Sequence, residues 1–165
     1  MTARTAQLRN LIIASKNPLS VRHATRTAGI AVASFLIAEL LGLPEAYWAA
    51  ITTLIVVQSP KVASPIGAQY FAGTAVGALV GGWAGTHLPG NVFVFGLCIF
   101  VIGVCFAPLH VERSAYRYAC ITLAIVMLTR SHDGWITALH RFLEVSTGIA
   151  IGLAINAIWP EHLAE

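Results

Sequence analysis

Glycine recurs at every fourth position of an apolar run that extends from Gln69 to Thr86. The four glycines are Gly73, Gly77, Gly81 and Gly85. Because residues four apart lie on one face of an α-helix, the run would present a stripe without side chains. Such a stripe lets the backbones of two membrane helices come into van der Waals contact, whereas in a water-soluble helix each glycine would cost about 1 kcal/mol of helix propensity. The stripe therefore predicts a central membrane helix against which other helices pack.

The composition agrees with a protein that crosses a membrane several times. Of the 165 residues, 57% are hydrophobic and 10% are charged, and the mean hydropathy is +0.75. These are too few charges to cover a soluble globule of this size. The basic residues behind the net charge of +3 are dispersed at the ends of apolar segments. Their placement argues against nucleic-acid binding.

Neither a metal nor a cofactor is predicted. The three cysteines lie inside apolar runs, without the spacing of a metal site or the even number of a disulfide framework. His87, His132 and His140 would lie on one side of the membrane, but their spacing does not support zinc ligation. No nucleophile, base and orienting residue are grouped at one depth, so we do not expect an enzyme.

Proline, glycine and charged residues divide the chain into six apolar segments. We expect a cytoplasmic N-terminal segment over residues 1–20, a six-helix membrane domain over 21–160 and a short tail over 161–165. The predicted helices are Val21–Leu43, Tyr47–Gln58, the glycine-striped run Gln69–Thr86, Val92–Ala107, Arg117–Thr129 and Arg141–Trp159. The second and fifth are shorter than the roughly 20 residues that a full crossing needs.

The distribution of basic residues predicts the orientation in the membrane. Lysines and arginines are concentrated before the first helix, in its first turns, and in the second and fourth connections, where Lys61 and Arg113 lie. Only Arg130 and Arg141 fall on the opposite side. By the positive-inside rule, both termini lie in the cytoplasm, and the expected location is the bacterial inner membrane.

The two halves of the chain resemble each other. An offset of 70 places Tyr47–Val57 over Arg117–Met127, and an offset of 71 places the third predicted helix over the sixth. The matched pairs include Trp48/Tyr118, Thr52/Thr122, Gly73/Glu144, Gly77/Gly148 and Gly81/Gly152. Chance similarity between apolar helices is the alternative. If the repeat is real, each unit has three helices, and an odd number forces the two copies into opposite orientations.

The predicted fold class is therefore an all-α integral membrane protein with six transmembrane helices, arranged as two inverted three-helix repeats. Inverted repeats related by a pseudo-two-fold axis in the membrane plane are typical of transporters. The short second helix of each unit is where such folds often place the permeation path.

Several short motifs carry a family resemblance. They are YWAAIT at Tyr47–Thr52, QSP at Gln58–Pro60, GTAVG at Gly73–Gly77, RFLE at Arg141–Glu144, Gly148, and Trp159 with Pro160. In this order and spacing, the chain resembles the fusaric acid resistance and aromatic acid exporter superfamily over about Ala24 to Pro160. Tyr70 stands where the family usually has a basic residue, and the cytoplasmic domain and second membrane half of larger members are absent from these residues.

The resemblance implies an efflux transporter of small organic anions, with aromatic carboxylates as the leading substrates. It extends to dimeric six-helix plant anion channels of the malate type, so a homodimer in membrane lipid is expected. A dimeric anion channel is one alternative function. A membrane scaffold that only packs is another, because packing alone explains a glycine stripe.

Polar residues inside the predicted helices are the candidates for a substrate path. They are Glu39, Trp48, Thr52, Gln58, Arg117, Tyr118, Thr122, Arg141 and Glu144. The candidate helix-packing residues are Gly73, Gly77, Gly81, Gly85, Gly148 and Gly152. The threonines more often bond to their own helix than line a path.

Glu39, Arg141 and Glu144 are predicted to lie at similar depth. An ionised acid in hydrocarbon costs several kcal/mol unless it is paired. The three side chains are therefore expected to form either a structural ion pair or a site where a substrate carboxylate competes for the guanidinium and couples to a proton. Arg117 and Arg141 would attract a carboxylate from opposite ends of the short helices.

Overall fold

The computed structural model describes residues 21–57, 60–108, 112–129 and 133–158. All regular structure in these ranges is helical, as predicted. The helices are α1 (Val21–Leu40), α2 (Tyr47–Val56), α3 (Pro60–His87), α4 (Val92–Phe106), α5 (Arg113–Leu128) and α6 (Gly134–Ile158).

The helices follow the predicted order, but three of them begin earlier than predicted. α3 begins at Pro60, α5 at Arg113 and α6 at Gly134. Proline suits the first position of a helix because its missing N–H needs no partner there. Asp133 caps α6, since its carboxylate accepts hydrogen bonds from the backbone nitrogen atoms of Trp135 at 2.9 Å and Ile136 at 3.4 Å. These ordinary start signals extend the helices beyond their apolar runs.

A tight turn ends α1 at Leu40, three residues before the predicted end. Gly42 has a φ of +73°, a left-handed conformation that glycine adopts without strain. The Gly42 backbone nitrogen donates to the Glu39 carbonyl at 2.9 Å, and the Leu43 nitrogen donates to the Ala38 carbonyl at 3.1 Å. This pair of bonds is a Schellman motif, and it directs the chain into α2.

The glycine-striped helix α3 lies at the centre of the bundle. It packs most extensively against α5 and α6, while α6 also packs against α2. α1 packs on α2, and α4 packs on α5. The two halves of the chain therefore meet mainly through contacts of α3 and α6.

Glycines bring these helices into direct backbone contact. A Cβ atom built on Gly77 would lie less than 3.0 Å from the Ala119 carbonyl oxygen and 2.9 Å from the Thr122 Cβ. A Cβ atom on Gly148 would lie equally close to the Ala49 carbonyl oxygen and 2.8 Å from the Thr52 Cβ. Real Cβ atoms do not approach backbone this closely, so only glycine fits at either position.

Large apolar side chains cover much of the outer surface of the bundle. On α4, Phe93, Leu97, Phe100 and Val104 are all exposed. By length and hydropathy, one described helix, α6, is long and apolar enough to cross a membrane. α2 and α4 are apolar but only 10 and 15 residues long.

Replacing Gly77 by alanine is expected to destabilise the protein, because the new methyl group meets backbone atoms of α5 that cannot move aside. Overpacking of this kind costs about 1–3 kcal/mol. Gly96 on α4 is the matched control, because a Cβ atom there has nothing within 4 Å. Thermal unfolding in detergent should show a lowered midpoint for Gly77→Ala and an unchanged or raised one for Gly96→Ala. Equal unfolding midpoints for the two variants would show that the contact between α3 and α5 has room for a methyl group at position 77.

Candidate anion-binding site

A buried arginine lies where the α1–α2 turn meets α6. The Arg141 side chain is 2% exposed and is among the largest fully buried side chains. None of its three nitrogen atoms donates a hydrogen bond to another described residue. An ion taken out of water without such bonds costs several kcal/mol. The guanidinium therefore has unused capacity to bind an anion.

The ring of Trp48 holds one face of this guanidinium. The Arg141 Cζ atom lies 3.5 Å from the centre of the ring, a cation–π contact. The indole nitrogen of Trp48 donates a hydrogen bond to a Glu45 carboxylate oxygen at 2.8 Å. The ring is thus fixed at both its face and its edge, and the guanidinium plane is fixed with it.

The neighbouring acid is bound mainly to the backbone. One carboxylate oxygen of Glu144 accepts a hydrogen bond from the Glu45 backbone nitrogen at 2.9 Å. The other lies 3.9 Å from Arg141 Nη1, which is beyond hydrogen-bond distance. Glu144 therefore balances the charge of Arg141 without occupying its donors.

A small cavity opens beside the guanidinium. Its volume is about 170 Å³, below the roughly 300–1,000 Å³ of pockets for drug-sized ligands. The cavity is lined by Pro44, Glu45, Ile125, Thr129, Thr137, His140, Arg141 and Glu144. A planar guanidinium with free N–H groups binds a carboxylate through two parallel hydrogen bonds. The size and chemistry of the cavity fit a small organic acid.

Three of the predicted path residues, Trp48, Arg141 and Glu144, come together in this site. Glu39 is exposed on α1, and the structure does not bring it to the guanidinium. Its expected place is taken by Glu45, which sequence reasoning missed because it lies in a turn between predicted helices. The spacing of Glu45 and Trp48, three residues apart at the start of α2, was the available signal.

The buried threonines of α2 and α5 behave in two ways. The Thr53 hydroxyl lies 2.8 Å from the carbonyl oxygen of Ala49 in its own helix and 2.9 Å from the carbonyl oxygen of Gly148. Thr52 and Thr122 are also fully buried, but neither hydroxyl has a hydrogen-bond partner among the described residues. Both threonines lie at the close helix contacts made by Gly148 and Gly77.

The remaining candidates lie elsewhere. Arg117 is exposed near the start of α5, and Gln58 lies outside the described residues. Tyr118 is partly buried, and its ring stacks on that of Tyr70 with the ring centres 4.0 Å apart. Of this set, only Tyr118 has a described contact inside the bundle.

The contact between α3 and α5 repeats the contact between α6 and α2. Tyr70 stacks on Tyr118 as Arg141 stacks on Trp48. Gly77 meets Ala119 and Thr122 as Gly148 meets Ala49 and Thr52. The paired residues are those that the offsets of 70 and 71 place over each other in the sequence.

The fold and the site define an all-helical bundle with an apolar surface and a buried arginine whose nitrogen atoms have no hydrogen-bond partner among the described residues. The model of the fusaric acid resistance protein-like family matches residues 30–155. Because that match covers most of the chain, this protein belongs to the fusaric acid resistance protein-like family, and the predicted resemblance is confirmed.

A curated relative agrees with this assignment. The chain is 27% identical over 146 residues to inner membrane protein YccS of Escherichia coli (strain K12). The match covers 85% of this chain and 20% of that protein, so the chain spans about a fifth of the relative's length. No solved structure matches the chain.

Replacing Trp48 by leucine is expected to destabilise the protein, because Arg141 loses the ring on which it stacks and Glu45 loses a donor. A desolvated cation–π contact stabilises by about 2 kcal/mol, which corresponds to a fall of several degrees in the unfolding midpoint. Trp83→Leu is the matched control, since Trp83 is 51% exposed on α3. A midpoint for Trp48→Leu no lower than that of the control would contradict this role of the ring.

Proposed function

We propose that this chain is a membrane domain that exports small organic anions, with aromatic carboxylates as the leading substrates. Arg141 is the observation that carries the proposal: a guanidinium that is 2% exposed, that has no hydrogen-bond partner among the described residues, and that lies beside a small cavity. Membership of a family named after resistance to fusaric acid supports the substrate class. The relative that is an inner membrane protein supports a location in the bacterial inner membrane.

The proposed architecture is six transmembrane helices in two inverted repeats, with both termini in the cytoplasm. The equivalent contacts of α3 with α5 and of α6 with α2 support the repeat, because chance similarity between apolar helices would not reproduce them residue by residue. The exposed apolar side chains of α4 support burial in lipid. In this orientation Arg141 lies in the outer half of the membrane and Tyr70 lies in the inner half.

Substrate binding also provides a route to proton coupling. A carboxylate bound by Arg141 would add a negative charge next to Glu144, which has one oxygen 3.9 Å from the guanidinium. With Glu45, which also lines the cavity, three carboxylates would then surround one guanidinium, and the net negative charge is unfavourable in a buried site. Uptake of a proton by Glu144 would reduce that charge. Binding of the substrate and binding of the proton would then favour each other.

Flux of labelled benzoate into proteoliposomes tests the proposal. Arg141→Lys should lower the flux at least about tenfold, because an ammonium cannot form the two parallel hydrogen bonds or stack on Trp48. Arg117→Lys is the matched control, since Arg117 is exposed. Equal flux in both variants would remove Arg141 from the path. No carboxylate flux in the wild-type protein would favour a scaffold.

The same assay with an imposed pH gradient tests the coupling. Wild-type flux should respond to the gradient, whereas Glu144→Gln should transport without that response, because the amide cannot take up the proton. The Gln side chain still accepts a hydrogen bond from the Glu45 backbone nitrogen, so the fold is kept. A gradient response that survives in Glu144→Gln would assign the coupling to another group.

A further inference from the structure

A groove separates the start of α1 from the end of α6. α1 packs mainly on α2 and contacts α6 less extensively, and the groove between α1 and α6 has a volume of about 550 Å³. This volume exceeds the 170 Å³ of the cavity at Arg141 and lies within the roughly 300–1,000 Å³ of pockets for drug-sized ligands. Arg141 and Ile155 are about 21 Å apart along α6. The groove is therefore a separate site at the other end of the bundle.

Small residues of α1 keep this space open. Gly29 and Ala33 lie one turn apart on α1, and both line the groove. A Cβ atom built on Gly29 has nothing within 4 Å, so the groove reaches the backbone of α1 there. Ile155 and Ile158 line the groove from α6, and Ile158 is 83% exposed. An apolar chain lying in the groove would contact both helices.

Two arginines lie at one end of the groove. Arg22 and Arg26 are one turn apart on α1, and both line the groove. Arg22 is exposed, while Arg26 is 9% exposed and its Nη2 atom donates a hydrogen bond to Asn156 Oδ1 at 2.9 Å. No acidic side chain is among the described residues that line the groove. The groove thus combines a positively charged end with apolar walls.

The length of the groove matches one leaflet of a bilayer. Arg22 and Ala33 are about 16 Å apart along the axis of α1. The hydrocarbon core of a bilayer is about 30 Å thick, so one leaflet contributes about 15 Å. In the proposed orientation, Arg22 lies at the cytoplasmic headgroups and Ala33 lies near the middle of the bilayer. A phospholipid with a negatively charged headgroup has the complementary arrangement of charge and apolar chain.

We propose that this groove binds an anionic phospholipid. Its phosphate is bound by Arg22 and attracted by the charge of Arg26, and one acyl chain lies along Gly29 and Ala33. Basic pockets between transmembrane helices on the cytoplasmic side bind anionic lipid headgroups, and a guanidinium binds phosphate through paired N–H groups. The lipid would join α1 to α6. The groove shares no residue with the cavity at Arg141, so this inference does not depend on the proposed transport.

Native mass spectrometry of the full chain in detergent tests the charged end. The probes are phosphatidylglycerol and phosphatidylcholine with the same acyl chains. The wild-type protein should prefer phosphatidylglycerol by about 25-fold, a factor of about five for each arginine. Arg22→Gln should reduce the preference to about fivefold. Arg113→Gln is the matched control and should keep the preference, because Arg113 is exposed at the start of α5 and does not line the groove.

Gly29→Leu tests the apolar part of the groove. The leucine side chain enters the open space beside Gly29 and takes the place of two or three methylene groups of the acyl chain. Binding of phosphatidylglycerol should therefore fall at least about tenfold. Gly96→Leu on α4 is the matched control, since a Cβ atom there also has nothing within 4 Å. If Gly29→Leu does not fold, Ala33→Leu fills the same groove one turn further along α1 and carries the same expectation.

The outcomes separate a lipid from other occupants of the groove. Weaker binding in Arg22→Gln and Gly29→Leu, with wild-type binding in both controls, supports the proposal. Equal affinity of the wild-type protein for the two lipids overturns it. Glycerol 3-phosphate bound as tightly as phosphatidylglycerol also overturns it, because the apolar walls would then have no role. A wild-type protein that binds no lipid overturns it and would assign the groove to a second copy or to another segment of this chain.

Discussion

The close approach of α6 to α2 at Gly148 determines the geometry of the rest of the site. A side chain at this position would collide with the Ala49 carbonyl oxygen, so the two backbones can meet only at glycine. Arg141 lies two helical turns before Gly148 on the same face of α6. Trp48 directly precedes Ala49. A backbone contact at Gly148 therefore places the guanidinium against the indole ring.

This arrangement stabilises the positive charge of Arg141, which is buried away from water. The indole ring covers one face of the Arg141 guanidinium, and Glu144 balances its charge from 3.9 Å while bonding to the backbone of the α1–α2 turn. A purely structural ion pair would be expected to form direct hydrogen bonds, since burial is otherwise costly. A site that must bind and release an anion needs the donors to be free between cycles. Arg141 matches the anion-binding case, because its nitrogen atoms have no hydrogen-bond partner among the described residues.

Much of the helical organisation could be predicted from the sequence, because it depends on local pattern. The glycine stripe predicts the central position of α3, and the offset of 71 pairs Gly77 with Gly148, two glycines that both lie at close helix contacts. The starts of α3, α5 and α6 were predicted too late. An apolar run marks the part of a helix in hydrocarbon, while signals such as Pro60 and Asp133 mark where the helix begins.

The composition of the site was harder to predict than the helices. Arg141 and Glu144 can be identified from the sequence because charges are rare inside apolar helices. Depth alone groups Glu39 with them, but depth does not specify which face of α1 a residue occupies, and Glu39 is exposed. Glu45 was missed because its role depends on a turn, where a backbone N–H and a carboxylate act together. Such contacts follow from the path of the chain rather than from periodicity.

The most direct test of the central claim is to locate a bound acid by its anomalous scattering. Crystals of the protein grown with 4-bromobenzoate would report the position of the bromine atom. The account predicts a bromine peak in or beside the cavity lined by Thr129 and His140, with the carboxylate within hydrogen-bond distance of the Arg141 guanidinium. An empty cavity, with bromine bound elsewhere and Arg141 still stacked on Trp48, would contradict it.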